Sequence, residues 1–334
     1  MTVPTQATKI SIREALRQAM CEEMRRDADI FLLGEEVAEY DGAYKVSKGM
    51  LKEFGARRVV DAPISEAGFA GLGIGAAMAG LRPIIEMMTW NFGIQAFDQI
   101  INHAAKVRYM SGGQFKVPLV LRGPNGVAHM LGATHSQYIE PFLAHVPGLV
   151  VVAVSTPYDA KGLLKAAIRD DNPVIFLESE FMYGDTGEVP DAEYLLPLGK
   201  GMVVREGTDA TVVAWGKMLK LVLRAADVLG DDVSLEIINP MTLQPLDTQL
   251  LVASVNKTHR LLVVEEAPAF AAIGAEIAAQ IQERCFDELD APVARVSAKH
   301  LPVPYADHLE RATLPSVEEV VAAVRQLLYM DTQA

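Results

Sequence analysis

Residues 58–80 read RVVDAPISEAGFAGLGIGAAMAG, and this stretch decides the fold. Residues 58–64 predict a short strand. Residues 65–80 hold mostly Gly, Ala, Phe, Leu, Ile and Met, which predicts a helix that is apolar all round and therefore buried. The same alternation extends in both directions. Upstream, Ser11-x-x-Glu14 has capping-box spacing ahead of a helical pattern over 12–26, and 29–34 (DIFLLG) reads as a strand. Downstream, strands are expected at 82–89, 117–122, 149–155 and 173–178, with helices at 95–110, 138–146 and 158–170. Continuous apolar strands separated by helices are what a parallel sheet covered on both faces requires.

Residues 184–209, rich in Gly, Pro and acidic side chains, break this rhythm and read as a connection. A second series follows, with strands at 211–215, 234–238, 260–266 and 292–297 and helices at 217–229, 246–257, 274–289 and 316–329. The fold class is α/β, two open, mostly parallel-sheet domains: residues 1–190, a connecting segment 191–205, and residues 206–334. In the last helix Val317, Val320, Val321, Val324 and Leu327–Leu328 recur at helical spacing, to cover their own sheet or to dock a partner.

Composition narrows the function. At about 150 residues per domain, 334 residues suit two domains. Thirty basic against 43 acidic side chains leave a net charge of −13, which argues against nucleic acid or an anionic membrane as partner. Two cysteines, Cys21 and Cys285, make no disulfide framework. Apolar runs such as 149–154 are too short to span a bilayer, and residues 1–20 show no secretory h-region. A cytoplasmic protein is expected.

In open parallel sheets, ligands bind beyond the carboxyl ends of strands. Three loops of the first domain qualify: one with Ser65-Glu66, one with Trp90-Asn91-Phe92 and Gln95, and one running from 123–126 to Thr134-His135-Ser136-Gln137. Glu66 opens an otherwise apolar helix. It either complements the helix N-terminus or, poorly solvated, exchanges a proton with a bound heterocycle. His135 sits in a long Gly-rich loop, as a structural or a functional residue. His129 and His145 are further candidates, but the spacing of the three matches no zinc pattern. Gly71, Gly73 and Ala76 approach a dinucleotide fingerprint, yet they fall inside the helix, where close packing explains them better. No P-loop, no G-x-S-x-G and no Gly-Asp-Gly followed by paired Asn occurs.

Seven blocks, in order, carry a resemblance: 33–47 (LGEEVAEYDGAYKVS), 61–71 (DAPISEAGFAG), 79–92 (AGLRPIIEMMTWNF), 110–126 (MSGGQFKVPLVLRGPNG), 134–137 (THSQ), 156–173 (TPYDAKGLLKAAIRDDNP) and 301–305 (LPVPY). Over residues 8–330 the chain resembles the β-subunits of the decarboxylating component of 2-oxoacid dehydrogenase complexes, pyruvate dehydrogenase above all. The resemblance implies a pyrimidine-binding, transketolase-like domain followed by a transketolase C-terminal-type domain. It implies thiamine diphosphate held between the subunits of an α2β2 heterotetramer, with Mg²⁺ and the diphosphate bound by the α-subunit's Gly-Asp-Gly…Asn element. The family's pyrimidine-binding glutamate falls on Glu66, where it bonds N1′ and promotes ionisation of thiazolium C2. Phe92 matches the aromatic packed on the pyrimidine, with Ile64, Met88 and Gln95 beside it and Glu35 as a second carboxylate. His135 falls on the active-site histidine that serves substrate binding and reductive acylation of the lipoyl domain of the acyltransferase core. A structural K⁺ would be held by Leu119, Ala167, Ile168, Asp170 and Asn172. His129, Met130 and Thr134 occupy positions that vary in the family. Arg122–Gly126 leans toward pyruvate over branched-chain 2-oxoacids or acetoin. A nucleotide-dependent dehydrogenase and a purely docking subunit are the competing readings.

Overall fold

The computed structural model describes residues 6–330 and divides into two compact units. The first holds the chain to Asn125 together with Phe142–Leu198; the second holds Gly126–Pro141 and the chain from Gly199. The segment 126–141, which the sequence reading leaves inside residues 1–190, thus groups with the second unit.

In the first unit, β1 (Ala7–Ser11) is followed by β2 (Ile30–Gly34), β3 (Val59–Asp61), β4 (Arg82–Glu86), β5 (Val120–Pro124), β6 (Val150–Ala153), β7 (Val174–Glu178) and β8 (Thr186–Pro190). Six of these lie side by side in the order β6-β7-β5-β4-β2-β3, every neighbouring pair parallel. Their residues are almost all buried because helices cover both faces. Helix Ile12–Arg26 starts where the Ser11 hydroxyl accepts the Glu14 N–H, and helix Pro157–Arg169 starts with a full Thr156–Asp159 capping box and Pro157 in its first turn. The two pack on each other, tied by Lys161 and Lys165 to Glu22 and by Arg169 to Glu23.

The second unit contributes β9 (Met202–Arg205), β10 (Ala210–Ala214), β11 (Leu235–Asn239), β12 (Thr242–Gln244), β13 (Leu261–Pro268) and β14 (Ala294–Ala298). Its sheet runs β14-β13-β10-β11-β9, parallel except for β9 at the edge. Val320, Val324 and Leu327 of the last helix, Val317–Leu327, enter the core formed with helix Lys217–Leu229 and β10–β13, so this face covers its own sheet. Two open, mostly parallel α/β sheets are the fold.

Two further features depart from the sequence reading. The connection 184–209 contains β8 and β9, and β8 pairs antiparallel with β1. The helix expected over 95–110 is broken into a 3₁₀ turn (Ile94–Ala96), a π-turn (Gln99–Ala104) and a short α-turn (Val107–Met110). Among the described residues no helix is long and apolar enough to cross a membrane.

Candidate active site

Strands β4, β2 and β3 are parallel neighbours, so the residues following each emerge at one sheet edge. Glu35 follows β2 directly, Glu66 opens helix Glu66–Met78 after β3, and Met88 lies two residues beyond β4. Asp61 ties two of these segments together, because its carboxylate accepts the N–H groups of Ala38 (2.7 Å) and Glu39 (3.2 Å). Glu35 and Glu66 are both buried, at 6% and 5% exposure. Burial raises the Glu35 pKa, and the Glu66 charge raises it further. Glu35 Oε1 is buried with no hydrogen-bond partner. Such an orphaned acceptor is costly in a finished protein interior and marks a place where a ligand belongs.

The apolar candidates follow β3 and β4 at the same sheet edge. Thr89 caps the short helix Trp90–Gly93, which presents Phe92 half-buried; Met88 is half-buried too. Ile64 is 86% exposed, an unusual position for a large aliphatic side chain, and Gln95 is exposed in the 3₁₀ turn. The glycines of 71–76 are packing devices in part. A Cβ on Gly73 would stand 2.4 Å from Ile85 Cδ1 and one on Gly71 3.0 Å from Gln99 Oε1, whereas Gly75 faces open space.

His135 belongs to the second unit, in the 3₁₀ turn Ala133–His135. Its ring is half-buried, and its Nδ1 shares a 3.0 Å hydrogen bond with the Thr134 hydroxyl. That loop is clamped from within its own unit. Val127 N–H donates to Glu266 Oε1 (2.7 Å), Lys217 Nζ donates to Val127 O (3.0 Å), and Lys217 pairs with Glu266 (2.6 Å). Met130 N–H donates to the buried Glu310, whose carboxyl burial pushes up (3.0 Å). Sequence reasoning missed Lys217, Glu266 and Glu310, since each meets the loop from far along the chain. His129 and His145 are exposed, and no group of three or more metal-type side chains forms among the described residues.

The residues assigned to K⁺ lie at the opposite edge. Leu119 precedes β5, and 167–172 leads into β7. Leu119 O accepts Val174 N–H (2.9 Å), Ala167 O accepts Asp170 N–H (3.2 Å), and the Arg82 guanidinium donates to Ile168 O (2.9 Å) and Asp170 O (2.6 Å). Asp170 Oδ1 also accepts from Asn172 N–H (2.7 Å). Carbonyl and carboxamide oxygens suit a hard cation, through the lone pairs these bonds leave over.

Two successive α/β units, each built on an open and mostly parallel sheet, are the architecture of the transketolase class. The family models agree: residues 8–185 match the transketolase pyrimidine binding domain and residues 199–320 the transketolase C-terminal domain. Among solved structures, a split-gene transketolase described as an inactive β4 tetramer superposes with a TM-score of 0.77 over 96% of this chain and 98% of its own, at 23% identity. Within that class, the pyruvate dehydrogenase E1 component subunit beta of Rickettsia felis is 53% identical over 96% of this chain and 99% of its own. The subunits of Rhizobium meliloti (53% identical, 97% of this chain, 71% of its own) and of Caenorhabditis elegans mitochondria (52%, 96% and 93%) are similar to the same degree. The chain belongs to the family of pyruvate dehydrogenase E1 component beta subunits.

Proposed function

We propose that this chain, joined to an α-subunit in an α2β2 heterotetramer, binds thiamine diphosphate, decarboxylates pyruvate and passes the acetyl group to the lipoyl domain of an acyltransferase core. The observation that carries the reading is the orphaned Glu35 Oε1 beside the buried Glu66 carboxyl, at an edge that also bears Ile64, Met88 and Phe92. A flat heterocycle with basic ring nitrogens and an apolar face complements that combination, so the residues present fit the coenzyme's pyrimidine. The coenzyme supplies the carbanion that attacks the 2-oxo carbon.

Glu66 would hold N1′ of that ring through one shared proton and exchange that proton with it. A positioned carboxyl at that ring nitrogen is what general acid–base work there requires. Burial and the nearby Glu66 charge both raise the Glu35 pKa, which disfavours a second negative charge beside the ring. Met88, Phe92 and Ile64 exclude water from the ring face, while Gln95 offers an amide at the rim. His135 handles the acyl end, donating a proton to the dithiolane sulfur as that ring opens.

Diphosphate and Mg²⁺ would be held by the α-subunit, since the sequence has no Gly-Asp-Gly…Asn element. K⁺ at Leu119, Ala167, Ile168, Asp170 and Asn172 would be structural, because these residues precede β5 and β7 on the edge away from Glu66. Both cysteines are free and buried, as in a reducing cytoplasm. The test is coenzyme binding and pyruvate decarboxylation by the purified chain with Mg²⁺, with and without an α-subunit. Activity is expected only with the α-subunit; decarboxylation by the chain alone would overturn the division of labour.

A further inference from the structure

One buried charged cluster takes no part in this scheme. Glu86 ends β4, Arg122 lies in β5 opposite it in register, and Glu178 ends β7. Arg122 is only 1% exposed, although it is among the largest side chains of the chain. Its guanidinium forks onto both oxygens of Glu178, with Nε–Oε1 at 2.5 Å, and its Nη1 bonds Glu86 Oε2. The Tyr183 hydroxyl donates to Glu178 Oε2 at 2.7 Å. The cluster joins side chains from three strands, with Tyr183 added from the turn beyond β7.

The backbone above it leads directly into the proposed coenzyme edge. Met87 N–H donates to Arg122 O at 2.8 Å, and Asn125 N–H to Glu178 O at 2.9 Å. Gly123 is pressed so closely on Met87 that a Cβ there would stand 2.2 Å from Met87 O. Gly34, immediately before Glu35, pairs with Glu86 in register, and the loop beyond Glu35 passes over Glu86 Oε1 at Gly42. Moving Glu86 or Arg122 therefore moves the segments that carry Glu35 and Met88.

We propose that Glu86, Arg122 and Glu178 are positioning residues which, by sharing one guanidinium and one proton between two carboxyls, hold the Glu35 and Met88 segments at the height the coenzyme pyrimidine requires. This rests on the reading given under Proposed function. With both carboxyls ionised, one cation would face two anions in a fully buried site, a costly arrangement. Burial raises the Glu86 pKa against the opposing pull of Arg122, which favours Glu86 as the carboxyl that carries the proton. Of the other groups around the cluster, Tyr183 and Tyr44 are pushed upward by burial and stay neutral, and Arg122 stays charged. Alkaline loss of the Glu86 proton would then loosen the edge.

The test uses the assembled αβ enzyme. Glu86→Gln keeps the hydrogen bond and the shape while fixing the neutral form. It should leave coenzyme affinity and C2–H exchange at pH 7 near the wild-type values and extend the activity plateau to higher pH. It should also remove a protonated-carboxyl infrared band from the coenzyme-free protein. Arg122→Lys keeps the charge without the fork, and should weaken coenzyme binding or slow exchange on the order of 10²-fold, as a displacement of about 1 Å does. An unchanged alkaline limb and infrared spectrum in Glu86→Gln, or wild-type binding and exchange in Arg122→Lys, would overturn the proposal. Wild-type protein that binds no thiamine diphosphate would instead sink the coenzyme reading, while the infrared band still decides where the proton lies.

Discussion

The charge on Glu66 raises the pKa of Glu35, whose Oε1 is buried without a hydrogen-bond partner. Two carboxyls in electrostatic contact at one sheet edge titrate as a pair, and one of them holds on to its proton longer than an isolated glutamate would.

Glu66→Gln should therefore keep the fold and the α-subunit contact but lose most C2 ionisation, by on the order of 10²–10⁴ in rate. It should also lower the Glu35 pKa, because the charge that raises it is gone. Hydrogen–deuterium exchange at C2 in the assembled variant is the measurement, and a wild-type rate would remove Glu66 from the mechanism.

His135→Ala should hurt lipoyl acetylation more than coenzyme binding, since His135 rides on a loop clamped by Glu266, Lys217 and Glu310 and not on the segments bearing Glu35 and Met88. Three quantities are compared: coenzyme Kd, decarboxylation with an artificial electron acceptor, and lipoyl acetylation. Equal losses in all three would mean that the histidine only orders its loop.

Glu265 gives a pH-dependent stability. It is fully buried in β13, its Oε2 accepts the Gly274 N–H at 3.0 Å, and burial pushes its carboxyl up to about 7 from an ordinary 4.5. The folded chain thus holds this proton more tightly than the unfolded chain. The stabilisation is complete below about pH 4.5 and is lost as pH rises to about 7. Glu265→Gln should flatten the Tm profile over that window and raise stability at pH 8 by on the order of 2 kcal/mol. An unaltered slope would assign it to other groups.

The glycines of helix Glu66–Met78 can be told apart by substitution. Gly73→Val forces a side chain into Ile85 and should cost about 1–3 kcal/mol, as overpacking does. Gly75→Ala meets nothing within 4 Å and should stabilise the helix by up to about 1 kcal/mol. Denaturant melts of both variants decide it; equal effects would mean that close helix packing is not why Gly73 is there.

Much of this was legible in the residues themselves. The strands at 30–34 and 174–178 are continuous apolar runs because both sheet faces are covered. Helix 66–78 departs from the expectation that it is buried all round: Phe69, Ala70, Gly73, Ile74 and Ala77 are buried, but Ala67, Gly68, Leu72 and Gly75 are exposed. The ribbon of β1 and β8 was not legible, because its pairing joins residues 7–11 to 186–190 and neither segment is apolar. The break in the helix expected over 95–110 is a tertiary effect: its π-turn packs against helix Glu66–Met78, with Gln99 seated on Gly71. At the site, Glu66 stood out as the charge opening an apolar helix. Arg122 gave no such signal, since its partners Glu86 and Glu178 lie 36 and 56 residues away.

The passage of the chain from one unit to the other and back at Asn125/Gly126 and Pro141/Phe142 bears on biogenesis. Gly126–Pro141 leaves the ribosome well before Lys217, Glu266 and Glu310, the residues that fasten it. The first unit can form its sheet while translation continues, but the histidine loop must wait, unfastened, until nearly the whole polypeptide has emerged. A prematurely terminated product would keep Glu35, Glu66 and Met88 and yet never set His135 in place. The segments bearing Glu35, Glu66 and Met88 would thus take shape early in synthesis, and the histidine loop last.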